Sequence, residues 1–170
     1  MIRACSDFMT CRKITMSFNN HMTDPLEPDP GTPQGSPLSP ILSALVMGPI
    51  LWLAETWVDS DLTLYVDNGS IFASGPTYKA TTEKLTRAAS CVFTWLRNSG
   101  FSVDADKCEM MFFHPWTTWD NLHRTPPMTI TVQLTEDTTT TIKPATSICY
   151  LGMFFTPHLN WTTHVQIMST

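Results

Sequence analysis

Two runs of β-favouring residues, DLTLYV (61–66) and SIFAS (70–74), flank Asp67-Asn68-Gly69. Asn-Gly between such runs is the strongest short-range hairpin signal, because a two-residue type I′ turn needs positive φ at both central positions. Asn tolerates that conformation and Gly adopts it freely. The pair therefore predicts an antiparallel hairpin across residues 61–74, with Asp67 at its tip. A single carboxylate in a turn is most often only a solvated turn residue. What else it does depends on what the chain builds around it.

Upstream, RKITMSFN (12–19) alternates, with Ile14, Met16 and Phe18 on one face, and predicts a strand. A Pro- and Gly-rich loop follows over residues 24–40. Ser39 as N-cap and Pro40 at the first helical position then predict a helix reaching about Trp57, bent at Gly48-Pro49. It is apolar on nearly all sides, so it is expected to be buried. After the hairpin, Tyr78, Leu85, Ala89, Val92, Phe93 and Leu96 recur at helical spacing, between Thr77 as cap and Gly100 as stop. Strands are predicted at 101–103 and 109–113, and a loop over 114–127. MTITVQL (128–134) and TTTIKP (139–144) predict a second hairpin. SICYLGMFF (147–155) reads as a strand buried on at least one face, and the chain closes on the first turns of a helix. This order of elements defines an α+β domain.

The length of 170 residues suits one domain spanning 1–170. A hydrophobic content of 42% with 15% charged residues is that of a soluble globular chain. No apolar run reaches the roughly 18 residues of a membrane span, and MIRACSDFMTCRK lacks the apolar stretch of a secretory signal. An intracellular location, nucleus or cytoplasm, is therefore expected. Cys5, Cys11, Cys91, Cys108 and Cys149 form no C-x-x-C pair, which argues for reduced, buried thiols rather than a zinc site. Asn68 and Asn160 head N-x-S/T sequons, which carry no meaning without a secretory route. The net charge is −5 with only 10 Lys plus Arg and no basic cluster. That weighs against a free-standing nucleic-acid binder, since phosphate neutralisation needs clustered cations.

Four blocks in order nevertheless resemble one family. GTPQGSPLSPILSAL (31–45) is similar to the G-x-P-Q-G-x-x-L-S-P motif of reverse transcriptases of the non-LTR (LINE-like) retrotransposon type. YVDNG (65–69) falls where that family carries Tyr-x-Asp-Asp. WLRNSGFSVDADKCEMMFF (95–113) and YLGMFFTPHLNWTTHV (150–165) resemble the two blocks that follow. The resemblance implies a polymerase-type palm, an antiparallel sheet with helices packed on one face. It implies RNA-directed DNA synthesis, with an RNA template, a DNA primer and dNTPs as partners and Mg²⁺ as cofactor. Two ions would activate the primer hydroxyl and neutralise the leaving pyrophosphate.

Residue by residue, the resemblance makes Asp67 a Mg²⁺ ligand, a role that suits its hard oxygens. Asn68 takes the second catalytic position, and Tyr65 joins Gln34 and Gly35 against the nucleotide and template. Gly35 also suits a turn, and the motif rather than the glycine favours the substrate role of that loop. Lys107 would lie near the triphosphate, with a solvated loop lysine as the other reading. Tyr150, Leu151 and Gly152 match a primer-gripping hairpin, with a core strand as the alternative. Trp161 and His164 also match family positions, where packing and capping are the expected roles.

The pattern is also broken. Asn68 stands where the family has a second aspartate, and it is neutral, offering one carbonyl oxygen in place of a carboxylate. A metal-binding aspartate expected upstream has no counterpart in strand context, since the one early acid is Asp7. Fingers and most of a thumb are expected to be missing, leaving a palm fragment with weak or absent Mg²⁺ binding and no polymerase activity. The rival from another class is a palm-derived binding module without catalysis. Its mark would be an exposed apolar face.

Overall fold

In the computed structural model, residues 10, 12–28, 35–58, 60–113 and 128–169 are described. The chain parts into two compact units, 1–49 and 50–170, with the boundary inside a helix. No described helix is long and apolar enough to cross a membrane.

In the first unit, β1 (Ser17–Phe18) and β2 (His21–Met22) pair antiparallel across Asn19-Asn20. Both asparagines have positive φ, 47° and 63°, as a tight two-residue hairpin turn requires. Reciprocal backbone bonds between Ile14 and Leu26, 2.8 and 2.9 Å, extend the ladder. The strand predicted over 12–19 is thus one arm of a hairpin. Its presumed inner face is open, because Ile14, Met16 and Phe18 are all exposed.

Helix α1 (Leu38–Ala54) begins slightly before the predicted Ser39 cap. Ser36 fills the capping role, its Oγ accepting from the Leu38 N–H at 3.3 Å. Pro49 lies within the helix, where it has no N–H to donate to the preceding turn. The expectation that α1 is buried on all sides fails. Ile50 is fully buried, but Ile41, Leu45, Val46, Leu51, Trp52 and Leu53 are exposed. A helix apolar all round carries no stripe to say which face meets the protein, and here one residue is enclosed.

The second unit is organised by α2 (Tyr78–Asn98). Thr77 caps it as predicted, its side chain accepting from the Ala80 N–H at 3.2 Å. Gly100, at φ 81°, takes the left-handed conformation that ends the helix. The buried face of α2 is Ala88, Ala89, Val92 and Phe93, matching the predicted periodicity. Hairpin β3 (Ser60–Tyr65) with β4 (Asn68–Ala73) and hairpin β5 (Ile130–Gln133) with β6 (Thr139–Ile142) both pack on this helix. Ile130, Val132 and Ile142 complete the core together with Ile50, Met110 and Phe112. Tyr78 meets Phe112 edge-on at 5.3 Å.

No strand forms at 101–103 or 109–113. Residues 105–107 make one 3₁₀ turn, and Met110 makes a single bridge to Pro144. Met110 and Phe112 are held by burial of their side chains rather than by a ladder. The loop expected over 114–127 lies outside the described residues. The single strand expected over 147–155 is a hairpin, β7 (Ile148–Tyr150) with β8 (Met153–Phe155), followed by α3 (Thr162–Met168). Among the described residues the strands form four separate two-stranded antiparallel sheets, and with the helices they make a mixed α+β fold.

Candidate functional site

The β3–β4 hairpin owes its orientation to alternation. Leu62 and Leu64 are half-buried and, with Ile71, pack against the core, while Asp61, Thr63 and Tyr65 face out. The Leu62–Ile71 pair sits face to face across the ladder. The turn is not where the sequence placed it. Tyr65 pairs with Asn68, so the two loop residues are Val66 and Asp67, and Asn68-Gly69 begins β4. An Asn-Gly loop would set Leu62 against Gly75 and sacrifice the Leu62–Ile71 contact, and it would run β4 into the start of α2. Register is decided by those cross-strand and helix contacts rather than by the turn dipeptide.

The observed register has a consequence at the tip. Val66 has φ 55°, a left-handed value that a β-branched residue adopts only under constraint. Strain of this kind costs about 1–3 kcal/mol and is held only because the flanking ladder dictates it. Asp67 and Asn68 are both exposed, and Asn68 Nδ2 donates to Asp67 Oδ1 at 3.3 Å. The described chain thus brings Tyr65, Asp67 and Asn68 together on one tip. Nothing in the sequence signalled the strained Val66, since the Asn-Gly dipeptide pointed to the wrong pair of loop residues.

The other predicted residues belong to other elements of the chain. Gly35, at φ 86°, belongs to the first unit, where the turn accounts for glycine; a Cβ there would meet nothing within 4 Å. Gln34 lies outside the described residues. Lys107 ends the 3₁₀ turn with its side chain 83% exposed, and its Nζ is 3.1 Å from Asp104 Oδ2. That hydrogen bond from Lys107 holds the Asp104 carboxyl below its ordinary value, opposed by desolvation and helped by the Asp106 N–H. Burial pushes the neighbouring Cys108 thiol up, and the Asp104 charge pushes the same way. Among the thiols expected to be buried, Cys91 and Cys108 are half-buried and Cys149 is exposed. Cys5 and Cys11 lie outside the described residues.

Tyr150 and Met153 close the β7–β8 hairpin over Leu151-Gly152, whose φ values of 50° and 80° fit a type I′ turn. The core-strand alternative therefore gives way to a hairpin. Two side chains clamp it, Glu109, which was not singled out from the sequence, and His164, for which packing and capping were expected. The Cys149 N–H donates to Glu109 Oε2, and the Phe154 N–H donates to His164 Nδ1, each at 3.4 Å. These are the outward amides of the non-hydrogen-bonded pair, so the clamp occupies both open edges. His164 also packs edge-on against Trp161 at 5.7 Å. Among the described residues, no hydrogen bond or ion pair links Lys107 or this turn to Asp67.

The donor set at the tip is one carboxylate and one amide. No group of three or more His, Cys, Asp or Glu side chains among the described residues could hold a metal ion. By themselves these residues do not fit a two-ion centre. An open groove of about 620 Å³ runs along α2, lined by Lys79, Thr82, Glu83, Thr86, Arg87 and Met128, and no predicted site residue borders it.

The geometry defines a mixed α+β protein of antiparallel hairpins, one of which, packed on α2, presents an exposed Tyr-Val-Asp-Asn tip. The chain belongs to the reverse transcriptase (RNA-dependent DNA polymerase) family, whose model matches residues 2–155. The match spans the tip, Lys107 and the Leu151-Gly152 turn. No curated protein and no solved structure shows significant similarity to the chain.

Proposed function

We propose that this chain is the palm of a non-LTR retrotransposon reverse transcriptase, and that Asn68 disables nucleotidyl transfer in it. The observation that carries this reading is the family match across an exposed hairpin tip bearing Asp67. In this reading Asp67 is the Mg²⁺ ligand, and Gln34, Gly35 and Tyr65 line the nucleotide and template. Lys107 serves the triphosphate, and the Tyr150-Leu151-Gly152 hairpin meets the primer on the RNA template. Asn68 removes one negative charge from a site whose ligands must balance dications, so Mg²⁺ binding is weak. Primer extension with purified protein, Mg²⁺ or Mn²⁺ and dNTPs tests this. The expected result is no templated incorporation; incorporation that disappears in Asp67→Ala would refute the inactivity.

A second reading, a non-enzymatic palm-derived module that binds protein or nucleic acid, draws on the exposed apolar residues Ile41, Leu45, Val46 and Trp52 of α1. The two separate on Asn68→Asp. Recovery of incorporation in that variant supports the disabled polymerase, and binding that depends on α1 residues with no recovery supports the module.

A further inference from the structure

The register of the β3–β4 hairpin gives Asn68-Gly69 a chemical property beyond its place in a turn. Tyr65 and Asn68 close the two-residue loop by exchanging backbone hydrogen bonds, so the next pair, Leu64 and Gly69, is non-hydrogen-bonded. The Gly69 N–H therefore points away from β3, and among the described residues no strand pairs with the other edge of β4. Asn68 and Gly69 are both exposed, and Gly69 places no Cβ in the path of an approaching side chain. The contact from Asn68 Nδ2 to Asp67 Oδ1 is long and solvated, so it is a weak restraint on the amide. The strained Val66, directly before Asp67, favours opening of the loop end, since release of its φ of 55° accompanies loss of the Tyr65–Asn68 pair.

We propose that Asn68 is a site of spontaneous deamidation that converts the tip to a carboxylate pair, Asp67 with an acid at position 68. The Gly69 backbone nitrogen attacks Asn68 Cγ, a C–N bond forms, and the proton lost from that nitrogen leaves with the side-chain nitrogen as ammonia. Water then opens the cyclic imide at one of its two carbonyls. Opening at the backbone carbonyl gives isoaspartate, which inserts a methylene into β4 and breaks the pairing with Tyr65. Opening at the side-chain carbonyl gives aspartate with the hairpin intact and a second hard anionic ligand for a divalent cation. No redox partner is needed.

The conversion itself does not depend on the polymerase reading; the gain in cation affinity rests on taking Asp67 as a metal ligand. The experiment is peptide-resolved mass analysis of the whole chain aged at mildly alkaline pH, with isoaspartate labelled enzymatically, beside Gly69→Ala. A Cβ at Gly69 would come within 3.3 Å of Leu64 Cδ2, a side-chain end that has to give by only a few tenths of an ångström, so the variant is expected to fold. The expected result is an amide-to-acid mass gain confined to the peptide carrying Asn68, with isoaspartate present, and strongly slowed in Gly69→Ala. An unchanged Asn68 peptide in folded protein, while the same peptide converts in urea, overturns the proposal. Titration with Mn²⁺ alone reads the second half: Asn68→Asp is expected to bind on the order of tenfold more tightly than the unaged chain. Equal affinities overturn the carboxylate-pair claim and leave the deamidation result standing by itself. Primer extension enters neither measurement, so failure here is distinct from failure of the polymerase reading.

Discussion

Asn68→Asp puts two carboxylates side by side at the tip of β3–β4. Asn68 Nδ2 now sits 3.3 Å from Asp67 Oδ1, and an acid in the same rotamer places oxygen anions at that separation. Two unit charges so close repel by about 1.3 kcal/mol in a water-like dielectric and about 5 kcal/mol at an effective dielectric of 20. Both side chains are exposed, so the lower figure governs. The residues are also neighbours in the unfolded chain, where a mean separation of roughly 7 Å already costs about 0.6 kcal/mol, leaving about 0.7 kcal/mol as the folding penalty. Loss of a weak exposed donor brings the total to about 1 kcal/mol. For a chain of this size that corresponds to a melting-temperature drop of about 2–4 °C. Thermal unfolding by circular dichroism at low ionic strength reads it. At about 1 M salt the screening length falls to about 3 Å and the electrostatic part should largely vanish. An Asn68→Asp protein that melts with the wild type at low salt refutes the reasoning. So does a deficit that survives about 1 M salt.

Three further outcomes are expected. Thr77→Ala removes the side-chain acceptor for the Ala80 N–H and should cost about 1 kcal/mol, read in the same melts; an unchanged midpoint would show that solvent replaces the cap. Val132, 2% exposed in the core against α2, should lose about 2 kcal/mol on truncation to Ala, from two buried methyls plus the cavity they leave, measured by urea denaturation. Cys108, whose thiol burial pushes up, should be alkylated by iodoacetamide after the exposed Cys149, because the thiolate is the reacting form. A raised folded value means its stabilising contribution is complete below the ordinary thiol range and is lost as pH rises through the folded value. Cys108 labelling should therefore accelerate on the alkaline side, and equal rates for the two cysteines near neutrality would contradict the assigned cause.

Much of the local structure was legible without coordinates. Thr77 to Gly100 announced α2 because its cap, its period and its stop are short-range signals that agree with one another, and the packing against β5–β6 only reinforced them. The β5–β6 hairpin was legible for a similar reason, since Ile130 and Val132 alternate with exposed residues and Thr-rich β6 follows after a short loop. The turn at Leu151-Gly152 was hidden from the local pattern, where only the resemblance implied a hairpin, since a leucine at φ 50° is a rare loop residue, and here Glu109 and His164 clamp the outward amides on either side. The exposure of α1 was hidden too, because an apolar sequence states a demand for burial without naming the surface that meets it.

The sequence by itself determined that a hairpin forms near Asp67, that a capped amphipathic helix follows, and that the ordered motifs belong to a reverse transcriptase. Tertiary structure decided which residues form the tip. A period of two leaves a strand free to slip by even steps without exchanging its faces, so alternation could not choose between an Asn68-Gly69 loop and a Val66-Asp67 loop. The choice fell to the Leu62–Ile71 pair and to the nearby start of α2, which override the turn preference and set Val66 into a strained conformation. Asn68 is thereby moved from the turn into the first pair of β4, where its amide contacts the Asp67 carboxylate.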